Sequence, residues 1–187
     1  MNINTSMLKR TAAAALLFGA VGAYAFAADS KLPSKYPAEP VHEVEFYGNP
    51  SSSISVGVSL PAGAAYLFTS GTVPPVLNKE GATVYERYGD TKTQAIGVLK
   101  SIEKQLADKG LTMKDVVYLR AYLTADAAKE GKFDYAGWNE AYGQFFNNAA
   151  NPVKVARSTV GVASLVSPDW LIEIEAVAVY PKHHNQD

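Results

Sequence analysis

The sequence predicts an α+β domain in which two helices cover one face of a β-sheet and the other face is left for a protein partner. Three observations predict it. Two segments repeat apolar residues at helical spacing, strand-like runs precede, separate and follow them, and the last run, "WLIEIEAVAVY" (170 to 180), is apolar on both faces. A chain of 187 residues, 48% of them hydrophobic, has the material for one such core.

The N-terminus stands apart. Lys9 and Arg10 precede an apolar run, Thr11 to Phe26, that ends in the small-residue patterns "AYA" and "AFA", the layout of a secretory signal peptide. The competing reading, an uncleaved anchor, is disfavoured because the run is shorter than the ~20 residues a spanning helix needs. The expected organisation is therefore a signal peptide at 1–28, an extended arm at 29–50, a folded domain at 51–181 and a polar tail at 182–187. The expected location is periplasmic or secreted, with no membrane association after cleavage.

Removing the leader leaves 15 basic against 18 acidic residues, a net charge of −3. No basic cluster is present to replace phosphate counterions, which argues against a nucleic-acid partner. The absence of cysteine excludes disulfides, thiol nucleophiles and Cys-ligated zinc.

In chain order, four prolines make residues 29–50 an extended arm, within which "VEFYG" can add an edge strand. "SISVGVSL" and "AAYLFTSG" flank "PAGA" and predict a β-hairpin. "GTVPPVLNKEGATVYERYGD" is expected to be a long loop. Thr91 and Gln94 then read as a capping box, with Ile96, Leu99, Ile102 and Leu106 on one helical face and Gly110 placed to end the helix. "DVVYLRAYLT" (115 to 124) follows as a strand with Val117, Leu119, Ala121 and Leu123 on one side and Tyr118, Arg120 and Tyr122 on the other. Trp138, Ala141, Tyr142 and Phe145 mark a second helix over 133–147, a packing stripe and not a cofactor box. "NP" (151 to 152) precedes the strand "VARSTVGVA", and "SPDW" turns into the last one.

Two features carry chemistry. Arg157 interrupts a strand of small and β-branched residues, and Glu173 and Glu175 interrupt the last apolar run. If these strands are neighbours, the cation and the acids meet at a subunit boundary, either as an ion pair that holds an oligomer together or as a site in which the guanidinium receives a carboxylate. Glu173, nearer the turn, is the better group to orient a water. His42, His183 and His184 read as solvated side chains, Arg120 as a stack with Tyr118 and Tyr122, and Ser70 has no histidine nearby for an acyl-transfer triad. No phosphate-binding glycine motif opens a helix.

Taken in order, "LFTSGTVP", "VVYLRAYLT", "FDYAGWNEAYGQFF", "VARSTVGVASL" and "LIEIEAVAV" resemble the blocks of the reactive-intermediate deaminase family, RidA or YjgF, over residues ~50 to 180. The resemblance implies a chorismate-mutase-like mixed sheet, a homotrimer with clefts between subunits, and hydrolysis of enamine and imine intermediates such as 2-aminoacrylate to a 2-keto acid and ammonia. It implies no cofactor and no metal. By residue, it implies that Arg157 clamps the substrate carboxylate, that Glu173 positions the attacking water together with the backbone carbonyl of Thr159, and that Ser70 lines the cleft. The alternative is a non-catalytic binder of small 2-keto or other carboxylic acids in the same clefts. One departure is plain: the strand before the "SG" block, where the family often has a tyrosine, offers Ser53, Ile54 or Ser55, leaving Tyr85 or Tyr88 as replacements.

Overall fold

The computed structural model describes residues 41–181. The expected signal peptide, the arm up to residue 40 and the polar tail lie outside the described residues.

The chain builds β1 (Glu45–Tyr47), β2 (Gly57–Ser59), β3 (Tyr66–Phe68), α1 (Val84–Tyr88), α2 (Thr91–Ala107), β4 (Val116–Leu123), α3 (Tyr135–Phe145), β5 (Ala156–Gly161) and β6 (Ile172–Val179). The main sheet has the order β3-β6-β4-β5, with β4 and β5 parallel and the other pairs antiparallel. It is the mixed sheet of the expected α+β fold, and α2 and α3 cover one face. Leu99, Ile102 and Leu106 of α2 and Trp138, Ala141 and Tyr142 of α3 bury against Leu119, Ala121, Ile172, Ile174 and Ala176. Alternation along the strands requires this: the residues of β4 and β6 that face the helices are apolar without exception, and each fully buried leucine or isoleucine among them contributes about 1.5–3 kcal/mol.

The opposite face is open in the single chain. Tyr118, Arg120 and Tyr122 of β4 lie there beside Val177, Glu175 and Glu173 of β6. Tyr66 and Phe68 of β3 complete it, 44% and 71% exposed.

Three local expectations are corrected. β2 and β3 do not form a hairpin: β2 pairs with β1, and β3 pairs with β6. The "PAGA" segment does turn, with Ala64 N–H donating to Pro61 O and Gly63 at φ +73°, but the turn carries the chain from one sheet to the other. Leu67 explains the choice, because on β6 it packs against the main core. The "VEFYG" strand is β1, an edge as expected.

The helix cap is the second correction. Asp90, not Thr91, caps α2, its carboxylate accepting from Thr93 N–H at 2.9 Å. Gln94 is thereby released from capping and is buried, where it donates to Gly89 O and Asp169 O and accepts from Leu171 N–H. Gly110 ends the helix as expected, at φ +75°, with Leu111 N–H returning to Leu106 O and Gly110 N–H to Ala107 O.

Third, the long loop contains α1, closed by a reciprocal Thr83–Glu86 capping box. Tyr85 of this helix donates to Asp126 Oδ1, and Arg87 pairs with Asp169 at 2.6 Å. The segment is thus tied at two points to the end of the sheet where β4 finishes and β6 begins.

Candidate functional site

Arg157 and Thr159 share the helix-facing side of β5, since their register partners on β4 are the buried Leu119 and Ala121. The guanidinium carbon of Arg157 sits 5.1 Å from the Trp138 ring centroid and 4.6 Å from that of Tyr142, and one nitrogen, Nη2, donates to Asn139 Oδ1 at 2.7 Å. Nε and Nη1 are shielded and have no hydrogen-bond partner among the described residues. Burial lowers the pKa of this arginine, and only the nearby Tyr142 opposes that shift. A buried donor without a partner costs about 1–3 kcal/mol, more when charged, so an anion brought to this side chain relieves an existing deficit.

Thr159 supplies a side chain and a carbonyl in different directions. Its hydroxyl accepts from Trp138 Nε1 at 3.1 Å. Backbone groups alternate across a strand: Val162 N–H turns toward β4, whereas Val155 O turns the other way to accept from Ser55 N–H. Thr159, in step with Val155, therefore directs its carbonyl to the outer edge of β5.

Glu173 lies elsewhere. It is opposite Tyr122 on the open face of β6, and its carboxylate rests on Gly71, where any Cβ would overlap Oε1. Thr72 and Ile174 exchange backbone hydrogen bonds at 2.8 and 3.0 Å, which fixes the "SG" turn against β6 and sets Gly71, the neighbour in sequence of the exposed Ser70, against Glu173. The Glu173 carboxylate accepts no hydrogen bond from the described residues. Glu175 differs: it takes Arg120 and the Tyr122 hydroxyl, each at 3.4 Å.

The four sequence-derived residues thus form two pairs, Arg157 with Thr159 and Glu173 with Ser70. They do not converge within one chain. β4 lies between β5 and β6, so the expected adjacency of those strands does not hold, and the pairs occupy opposite faces of the sheet. The intrachain ion pair weighed for Arg157 is likewise not formed, since its partner is Asn139. Cavities under β1 and along α2 lie away from all four residues.

Asn139, Trp138 and Tyr142 were not apparent from the sequence as functional neighbours. The aromatic stripe reads as packing, and it does pack, but its outer end is also the bed of the arginine. Of the two tyrosines offered as replacements, Tyr85 is engaged with Asp126 and Ala128 N–H, and its pKa is raised chiefly by that carboxylate. Ser55 donates to Lys154 O at 2.5 Å.

Comparison with known proteins follows the same outline. The model of the family described as Endoribonuclease L-PSP matches residues 61–180. A RutC family protein of Synechocystis is 34% identical over 120 residues, which are 64% of this chain and 82% of that protein. The 3-aminoacrylate deaminase RutC of Acinetobacter baylyi is 33% identical over 112 residues, 60% of this chain and 77% of its own. Among solved structures, YyfB of the Rid family from Yersinia pestis matches with a TM-score of 0.57 at 25% identity, covering 74% of this chain and 99% of that one.

Proposed function

The chain belongs to the Endoribonuclease L-PSP family, to which the RutC and RidA/YjgF proteins also belong, and from that premise we propose that it hydrolyses reactive enamines and imines of the 2-aminoacrylate/2-iminopropanoate type to a 2-keto acid and ammonia. The reaction takes place in clefts between the subunits of a homotrimer. The observation that carries this reading is the state of Arg157: a guanidinium bedded on two rings, held by Asn139, with two nitrogens in want of an acceptor. A substrate carboxylate satisfies it.

The chemistry follows from the two pairs. With the carboxylate held by Arg157 of one chain, Glu173 of a neighbour orients a water whose other hydrogen bond goes to the Thr159 carbonyl, and Ser70 lines the wall. Water oxygen adds to the imine carbon while one water proton passes by way of Glu173 to nitrogen; the carbinolamine hydroxyl then gives up its proton to nitrogen by the same route, and the C–N bond breaks as C=O forms and ammonia leaves. An enamine first tautomerises to the imine. An imine carbon is already electrophilic, so position and one proton shuttle supply most of what is needed. The name of the Acinetobacter relative, a deaminase of an enamine carboxylate, supports the same class.

RNA cleavage, which the family's description names, is disfavoured by a net charge of −1 for the whole chain and by the lack of a basic cluster. A second reading, capture of a small 2-keto acid without turnover, is favoured by one observation: Tyr85 and Ser55, two of the residues weighed in place of the family tyrosine, are committed to other partners. We also propose export to the periplasm or beyond, on the strength of the N-terminal leader.

The deciding experiment is ammonia release from imines generated in place by an amino-acid oxidase. Acceleration by the wild type that Arg157→Ala and Glu173→Ala both abolish supports hydrolysis. Acceleration retained in Arg157→Ala rejects it. No acceleration, with 2-keto acid binding that depends on Arg157, favours capture.

A further inference from the structure

We infer that Trp138 is a positioning residue that couples the two elements of the Arg157 half-site, the carboxylate clamp and the Thr159 edge; this rests on the functional reading above. Trp138 is completely buried in α3, yet both its polar and its π surfaces are in use. The ring face lies under the Arg157 guanidinium at 5.1 Å, and Nε1–H reaches the Thr159 hydroxyl at 3.1 Å. A buried indole N–H gains from an acceptor, which Trp170 Nε1 lacks among the described residues, and Trp138 finds its acceptor on the strand that carries the arginine.

The geometry gives the coupling a cause. Arg157 and Thr159 are two residues apart on the same face of β5, and one rigid side chain from α3 touches both. Tyr142, edge-on to Trp138 at 71° and 6.0 Å between centroids, prevents the indole from tilting. Asn139, the next residue on the helix, fixes Nη2 from the side. The guanidinium is therefore set by α3, and the Trp138–Thr159 hydrogen bond sets the β5 edge relative to the guanidinium. That spacing is the distance between a substrate carboxylate and the carbonyl that steadies its water.

Trp138 also reports on the site. The chain has two tryptophans, so Trp170→Phe leaves Trp138 as the only indole, stacked on the group that receives the anion. Pyruvate is the probe. Saturable change of emission on titrating pyruvate into the Trp170→Phe protein, absent when Arg157→Ala is added, is the expected result. Emission indifferent to saturating pyruvate overturns the inference.

Kinetics supply the second arm. Thr159→Val removes the acceptor and keeps the carbonyl, and Trp138→Phe removes the donor and keeps a ring. Each is expected to lower kcat by roughly two- to tenfold, the range spanned by one neutral hydrogen bond, with a much smaller change in KM. Because both break the same bond, the double variant should be no slower than the slower single one. Unchanged kcat in Thr159→Val, or losses that multiply in the double variant, overturns the coupling. Failure of the hydrolase reading is seen separately, as no ammonia release by the wild type; the emission arm then decides on Trp138 alone.

Discussion

Gly71 and Glu173 share one space: the carboxylate of the second fills the position that a side chain on the first would take, with Oε1, Cδ and Cγ of Glu173 all in the way. The glutamate owes its orientation to a missing methyl group on a neighbouring turn. That turn is locked to β6 by the Thr72–Ile174 backbone pair, so the alanine of Gly71→Ala has nowhere to retreat and the carboxylate must move.

Gly71→Ala should therefore fold normally, at a cost of about 1 kcal/mol for an off-rotamer glutamate, while hydrolysis falls at least tenfold toward that of Glu173→Gln, since a placed acid–base group contributes on the order of 10²–10⁴. Thermal melting and kcat measured on the same sample check this. A stable protein with full activity contradicts the assignment of Glu173.

Gln94→Ala addresses stability instead. Its amide joins Gly89 O, Asp169 O and Leu171 N–H, three backbone groups on two segments, at 3.2, 3.1 and 2.8 Å. Deleting it leaves them without partners in a dry place, and we expect a loss of about 2–4 kcal/mol by urea denaturation. The Arg87–Asp169 pair, being partly exposed, should cost less than half as much when broken.

Tyr142→Phe should be neutral or slightly stabilising at pH 7, because the Tyr142 hydroxyl is buried, leaning toward the Val155 backbone outside hydrogen-bond geometry. The difference appears in alkali. Burial pushes the Tyr142 pKa from 10.0 up to about 12, against smaller opposing effects of Arg157 and the Val155 backbone. Between those values the unfolded chain has released the proton and the folded chain retains it, so wild-type stability falls as pH rises through the window. The total is on the order of 2–3 kcal/mol, present below pH 10 and lost by pH 12. The phenylalanine variant should lack this part of the decline in denaturation curves taken across the window.

Phe68→Lys tests assembly. Phe68 is 71% exposed on the open sheet face, beside Val177, and a charge there should be unfavourable against a second chain and harmless in a single one. Sedimentation should show dissociated chains with unchanged far-ultraviolet circular dichroism and no turnover. An intact, active trimer would place the subunit contact elsewhere.

Much of the fold was legible because its core obeys simple periods. β6 alternates cleanly, as does β4 from Tyr118 onward, after a register shift at Val116–Tyr118, and α2 and α3 carry their apolar residues on one stripe. What escaped has specific causes. The three-residue strands β2 and β3 carry too little pattern to name a partner. Asp90, one residue ahead of Thr91, competes for the same cap, and only geometry reveals that it wins. α1, with five residues, has no periodicity, although its Thr83 and Glu86 were in view.

The candidate site was read from residue types, and their arrangement was illegible. Strand parity in the sequence puts Arg157 with Thr159, but which side of the sheet they face depends on β5 pairing with β4, a contact between distant segments. The bed formed by Trp138 and Tyr142 escaped for another reason: the same spacing that makes a helix stripe apolar also makes it a platform for a cation.

The separation of Arg157 and Glu173 by the thickness of a sheet has a genetic consequence. On the proposed reading no copy of this chain is an enzyme by itself; each lends a cation to the cleft it shares with one neighbour and a carboxylate to the cleft it shares with the other. Two inactive alleles, Arg157→Ala and Glu173→Ala, should then complement when co-expressed, with about a quarter of the clefts in randomly mixed rings inheriting both intact halves. Activity becomes a property of the population of chains, and it should vanish on dilution before any chain unfolds.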